Sequence, residues 1–500
     1  MKIHRIVFLS LCSLISVCLL ASTYPSDIES VLRKSGQNRK ELERAIEYFR
    51  KDKQKQEAIF FLIRNMDIHY SEYIEWKAPD GKTVPFNELE YPTYKEAVKA
   101  FKTNYSSATA YRQKTEDIHN VTADLLIDNV ERAFKKWKSP IAAHLSFSDF
   151  CEYLLPYRSM TEKLDPTWRK KYENHFDHYF KQLNNPLTLA TAISLYLDKT
   201  FFSTYAIDLN IFDILLSPSQ ILFRKQGGCE DLANYCLFIL RSLGVATSYD
   251  FVPEWATSTG KHMWNTIISK NGRRISFTAG EKEIKEFKLK REPGKVIRCT
   301  YSKQEETVAA QLPSEKIPNS YMRLQNYIDV TSEYWPCKDI PLNLFPSQEK
   351  YAFITVFNGM QWRPVYYGRI NNNKTVFRKM ACGAIYLPMF YQDDELKNAY
   401  YPVLMDKKGN TLLLKINHQK KIDLRIPEKG QYLIYRANKK YTLYYWDGEW
   451  IKSGEKEIEK ERELSFSGLP SNTVYLLIPE YSQGKDRPFT VQSDGTLLYW

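Results

Sequence analysis

The sequence predicts a multidomain chain: a helical N-terminal region, an α+β core, and β-sandwich-like modules at the C-terminus. Three observations carry this expectation. The chain has 500 residues, whereas a single hydrophobic core stops growing at about 250 to 300. Apolar residues recur at helical spacing as far as about residue 185. Beyond about Val296, short β-rich runs bounded by turn residues take over. Apolar residues at 43% and charged residues at 26% are ordinary for a folded protein, while the 14% aromatic share favours strands, sugar contacts or both.

The chain opens with Lys2 and Arg5 and then an uncharged run from Ile6 to Ala21. That run is shorter than the ~20 apolar residues a spanning helix needs. Ala21, Ser22 and Thr23 offer a cleavage point, so residues 1–22 read as a signal peptide. The expected location is therefore periplasmic, extracellular or, with Cys18 in the position of a lipidated cysteine, anchored at the outer membrane as a lipoprotein. No later run is long enough to span a bilayer. The remaining cysteines, Cys151, Cys229, Cys236, Cys299, Cys337 and Cys382, form no CxxC pair and no disulfide framework. Net charge is +12, but basic and acidic residues are interleaved, which speaks for a solvated basic surface suited to anionic envelopes and against a nucleic-acid groove.

Residues 24–185 read as the helical region, with Leu42, Ala45, Ile46, Phe49, Ala58, Phe61 and Leu62 on helical spacing. Ser146 and Ser148 are candidate N-caps. Residues 186–300 form the core, and two β-sandwich-like modules follow at 315–405 and 406–500, breaking near Met405. Asp447-Gly448 and Lys408-Gly409-Asn410 are hairpin signals. His175 and His178, at i and i+3 with no third ligand evident, imply no metal site. Trp362, Tyr366, Tyr367, Tyr444, Tyr445, Trp446 and Trp450 could build a surface for glycan or peptide, although strand alternation sends half of them to the core.

The chemistry concentrates in "FRKQGGCEDLANYCLFILRSLGV", residues 223–245. Leu232, Cys236, Ile239, Leu240 and Leu243 share one helix face and Gly244 stands at the C-cap, predicting a helix over about 230–243. Cys229 then lies at its N-terminus, where free amides and the macrodipole lower a thiol pKa. Gly227 and Gly228 allow another backbone or a substrate close to the sulfur. A strand over "VATSYDFVP" and a second beginning at His262, turning at Asn271-Gly272 into a third, predict that His262 meets Cys229 across a helix-on-sheet packing and serves as its base. Trp264 shares the face of His262 and would wall it from water. The Cys229 amide and the Gln226 side chain are the candidate oxyanion donors.

"GGCEDLANYCLFILRSLGV" followed by "GKHMWNTI" resembles the core of the transglutaminase-like superfamily of papain-related cysteine enzymes, over roughly residues 186–290. The export signal, helical front and β-rich tail are also similar to secreted bacterial members. The resemblance implies a papain-like α+β core, a Cys229 nucleophile and a His262 base, an acyl-thioester intermediate, and no cofactor; the calcium used by some relatives has no recognisable loop here. The chain departs from the family where an orienting aspartate is expected: positions 275–278 read Ile-Ser-Phe-Thr, and the nearest carboxylate is Glu281. Either Glu281 reaches back, or Ser276 or Thr278 orients the ring weakly, or the site is degenerate. The expected function is thiol-mediated hydrolysis or acyl transfer on peptide or amide bonds of a peptide, protein or glycopeptide. Its rivals are a catalytically inactive envelope binder for glycan or protein and an N-glycanase-like amidase.

Overall fold

Amphipathic helices recur through residues 24–200 of the computed structural model, which describes residues 24–205, 208–209, 214–284, 287–430, 433–459 and 462–500. The signal-peptide expectation at 1–22, with Cys18, lies outside the described residues. Asp52, Thr93, Thr122 and Ser146 each accept the backbone N–H three residues on, starting the helices Lys53–Arg64, Tyr94–Asn104, Ala123–Trp137 and Phe147–Tyr153. Ser148 lies inside the last of these. Leu42, Ala45, Ile46, Ala58 and Leu62 are buried as their spacing requires.

One feature of this region departs from the helical expectation. Tyr70–Lys77 and Thr109–Glu116 pair antiparallel as a two-stranded ribbon, from Tyr70 opposite Glu116 to Lys77 opposite Thr109. Most of its positions are half-buried or exposed on both faces, so no apolar alternation marked it in the sequence.

The Cys229–Ser242 helix packs on a five-stranded antiparallel sheet whose order is Arg274–Phe277, His262–Ile268, Thr247–Val252, Ile297–Cys299, Tyr327–Asp329. The fifth strand comes from beyond residue 300. Gly244 ends the helix at φ +96, with the Val245 N–H returning to the Leu240 carbonyl at 2.9 Å. Gly272, at φ +76, makes the turn between the His262 and Arg274 strands. One apolar cluster runs from Ile28 through the cysteine helix to Tyr327. Helical region and core sheet thus bury their faces against each other, which fixes both around the site.

Antiparallel sheets fill the C-terminal half. A six-stranded sheet is built on Tyr351–Asn358 and Ala384–Gln392, and its ladder continues through a turn at 406–410 to Thr411–Leu413, past the expected break at Met405. A five-stranded sheet is built on Lys439–Trp446 and Tyr475–Pro479, with Gly448 at φ +79 in the predicted hairpin. Trp362, Trp446 and Trp450 do not form an open surface. Their rings meet edge to face, at 5.5 Å for Trp362–Trp446 and 5.2 Å for Trp446–Trp450, in a cluster that also takes Phe357, Leu387 and Leu476. All six described cysteines are free thiols. Among the described residues no helix is long and apolar enough to cross a membrane.

Candidate active site

Cys229 is the first residue of its helix, half-buried, at one side of a cavity of about 310 Å³. A short parallel pairing of Phe202–Ser203 with Gln226–Gly227 brings Tyr205 to the same cavity. The two glycines are required by close approach. A Cβ on Gly227 would collide with the Asp231 carboxylate, which accepts the Gly228 N–H at 3.1 Å, and one on Gly228 would lie 2.9 Å from the Tyr205 ring.

The sulfur does not lie in the thiolate-favouring setting that its helix position predicts. Its S–H donates to Glu230 Oε2 at 3.3 Å, and Glu230 Oε1 lies 3.2 Å from Lys261 Nζ. Burial, the Glu230 charge and that hydrogen bond together push the Cys229 thiol up to about 11, against the Tyr205 hydroxyl and the Met263 amide, which pull it down. Burial opposes ionisation of Glu230 too, but Lys261 and hydrogen bonds outweigh it and hold the carboxyl below its ordinary value. A carboxylate beside the sulfur thus counteracts the helix dipole.

His262 opens its strand, and the pleat decides where it points. Asn265 donates to the Ala233 carbonyl of the cysteine helix at 2.9 Å, and Met263 packs into the same apolar cluster, so the odd positions face the helix. His262 and Trp264 face the other side. The imidazole lies between the Trp255 ring at 6.3 Å and the Trp264 ring at 5.7 Å, and burial pushes its pKa down. Among the described residues no hydrogen bond or ion pair joins it to the sulfur. The imidazole thus faces away from the helix, and what reaches the sulfur is the amide of Met263, next in chain to His262.

Trp264 is fully buried, its indole N–H donating to the Tyr334 hydroxyl at 3.1 Å and its ring against Phe287. Glu281 lines the Cys229 cavity, but its side chain is exposed and its carbonyl is taken by Ser194 Oγ at 2.7 Å. Its carboxylate makes no hydrogen bond or ion pair with His262 among the described residues. Ser276 is spent on the Tyr334 hydroxyl at 2.6 Å and Thr266 at 2.8 Å, while Thr278 lines the cavity. Gln226, paired with Phe202, is not among the cavity-lining residues. The side chain that reaches the helix start is Tyr205, whose hydroxyl is in hydrogen-bonding reach of both the sulfur and the Cys229 amide. Sequence reasoning missed Tyr205, Glu230 and Lys261. Glu230 and Lys261 flank the two predicted residues, and a charge pair at those flanks was the available signal. His175 and His178 pack beside the Phe176 and Tyr179 rings, and no group of three metal-ligating side chains occurs among the described residues.

Glu230→Gln removes the like charge beside the sulfur. Alkylation of Cys229 by iodoacetamide at pH 8 should quicken about tenfold, the equivalent of about one pKa unit. An unchanged rate would show that burial alone holds the proton.

Residues 176–279 match the sequence model of the transglutaminase-like superfamily, so this stretch is a transglutaminase-like core with a cysteine-enzyme-like fold. A crystal structure of a candidate cysteine protease from Cytophaga hutchinsonii is 16% identical over 23% of this chain and 38% of that one, with a TM-score of 0.20. Red sea bream transglutaminase is 10% identical over 84% of each chain, also with a TM-score of 0.20. This chain thus spans well under half the length of the first of these. No curated protein matches.

Proposed function

Taking the transglutaminase-like core as the premise, we propose that the protein is an exported cysteine enzyme that hydrolyses peptide or amide bonds or transfers their acyl group. Cys229 is the nucleophile and His262 the proton carrier. The observation that carries this reading is the sulfur at an open cavity beside the Met263 amide, one residue from an imidazole. The resting pair is neutral, because burial raises the thiol and lowers the histidine. The imidazole turns from its tryptophan neighbours toward the sulfur and takes the thiol proton as the S–C bond forms. The Cys229 amide and the Tyr205 hydroxyl are placed to hold the carbonyl oxygen as it gains charge. The C–N bond then breaks, and the leaving amine takes the proton from His262. Water attacking the thioester gives hydrolysis; an amine gives a new amide. Either restores the thiol.

The test is intact mass after rapid acid quench with glutamine-containing, asparagine-linked glycopeptide and plain peptide libraries. An acyl adduct on Cys229, absent in Cys229→Ala, is expected, and the library that yields it separates transferase, glycopeptide amidase and protease. Absence of adduct and product from all three would overturn the reading. One observation favours an inactive binder instead: a thiol held at about 11 with no carboxylate on the histidine.

A further inference from the structure

A second and larger cavity, about 840 Å³, is lined by Lys261, which pairs with Glu230, the residue next to Cys229. Lys261 and Met263 line its inner end, and these are the residues that touch Glu230 and the sulfur. Its walls come from the N-terminal ribbon, from the core, and from the Gln361–Arg369 strand of the six-stranded sheet.

The charge of this groove is one-sided once its internal pairs are counted. Asp67 is taken by Lys34 and Lys303 and Glu72 lies 3.8 Å from Arg112, while Glu116 faces His119 at 3.5 Å, a cation only when protonated. Burial pushes Glu254 up to about 7, so this carboxyl contributes only part of a charge near neutrality. Three groove cations form no ion pair among the described residues, although Arg363 stands close enough to Glu254 to lower its pKa. Lys114 sits over the Tyr70 ring at 4.0 Å, the Arg323 side chain donates to the Ile317 carbonyl at 2.9 Å, and Arg363 projects from the Gln361–Arg369 strand into the groove. Two guanidinium forks and a lysine lining one groove are suited to carboxylates on a flexible chain.

We propose that this groove is the substrate-docking channel and that it takes an acidic peptide segment, held by Arg323, Arg363 and Lys114, whose scissile or acyl-donating carbonyl then reaches Cys229. The proposal rests on the cysteine-enzyme reading above and adds the class of substrate.

The test measures binding without chemistry. Full-length Cys229→Ala protein is titrated into a fluorescein-labelled peptide of six glutamates flanked by alanines, and into its glutamine counterpart, with anisotropy as the readout. The acidic peptide should bind at least tenfold tighter at ~50 mM salt, and less so at ~150 mM. Arg323→Glu/Arg363→Glu should bring the two peptides to parity, and Arg323→Gln/Arg363→Gln, which leaves the fold less disturbed, should remove most of the difference. Equal binding of the two peptides, an unchanged preference in a double variant that melts like the parent, or full competition by single-stranded DNA of equal charge would overturn the proposal. The two readings fail separately. A Cys229 adduct formed as readily from neutral peptides removes the acidic preference alone, whereas tight acidic-peptide binding with no adduct from any library removes the chemistry.

Discussion

His262→Ala is expected to lower kcat about a thousandfold, within the range for loss of a general acid–base group, and to leave KM nearly unchanged. The pH profile separates loss of the base from a structural defect. A histidine whose pKa is lowered stays neutral, and able to accept the thiol proton, to lower pH than an ordinary imidazole. The acid limb of kcat/KM in the parent should therefore fall below pH ~6.5. Alkylation by iodoacetamide needs thiolate, so with the thiol at about 11 its rate should keep rising through pH 10. A thiolate–imidazolium pair would do the reverse, with alkylation already at its plateau near pH 6. That plateau, or a His262→Ala variant retaining more than a tenth of parent activity, would refute the neutral-pair mechanism.

How much of this was readable follows from how local each signal was. Gly244, Asn271-Gly272 and Asp447-Gly448 were legible because a positive φ at a helix end or hairpin is a demand placed on one residue. The helix from Cys229 was legible for the same reason, since its apolar face repeats within four turns. The facing of His262 could have been anticipated: a strand that buries Trp264 on one side and lays Met263, Asn265 and Ile267 on a helix leaves His262 with the tryptophan. The thiol's raised pKa could not be read from the helix dipole alone, because the dipole competes with burial and with Glu230, and both depend on packing. Tyr205 reaches the sulfur only through a two-residue parallel pairing, which leaves no pattern in a sequence. Asp250 was passed over because its partners, Arg298 and Tyr334, stand far along the chain, and a lone acid in an apolar strand says nothing of them.

Arg298→Met should cost about 3 to 5 kcal/mol of stability, the cost of leaving a buried carboxylate without its cation. The Asp250 and Arg298 side chains are 0% and 1% exposed and lie 2.7 Å apart. Asp250 also accepts from Ser248 at 2.9 Å, Thr266 at 2.9 Å and Tyr334 at 2.6 Å, and Arg298 reaches Glu333 at 2.8 Å. These hydrogen bonds are buried with the pair, so their geometry is tied to the guanidinium. Urea denaturation should place most of the loss in the midpoint, with the slope unchanged. The double variant Asp250→Leu/Arg298→Met should recover part of it, since removing both charges leaves neither uncompensated. The same network reaches the site, because the Tyr334 hydroxyl that donates to Asp250 accepts the indole N–H of Trp264, the ring beside His262. Tyr334→Phe, which keeps the ring and removes that acceptor, should therefore change the near-ultraviolet signal of Trp264 and lower kcat more than KM, at a stability cost nearer 1 kcal/mol. A loss below 1 kcal/mol in Arg298→Met would show that the buried pair does not hold the fold, and an equal effect of Tyr334→Phe on kcat and KM would show that the network does not hold the histidine in place.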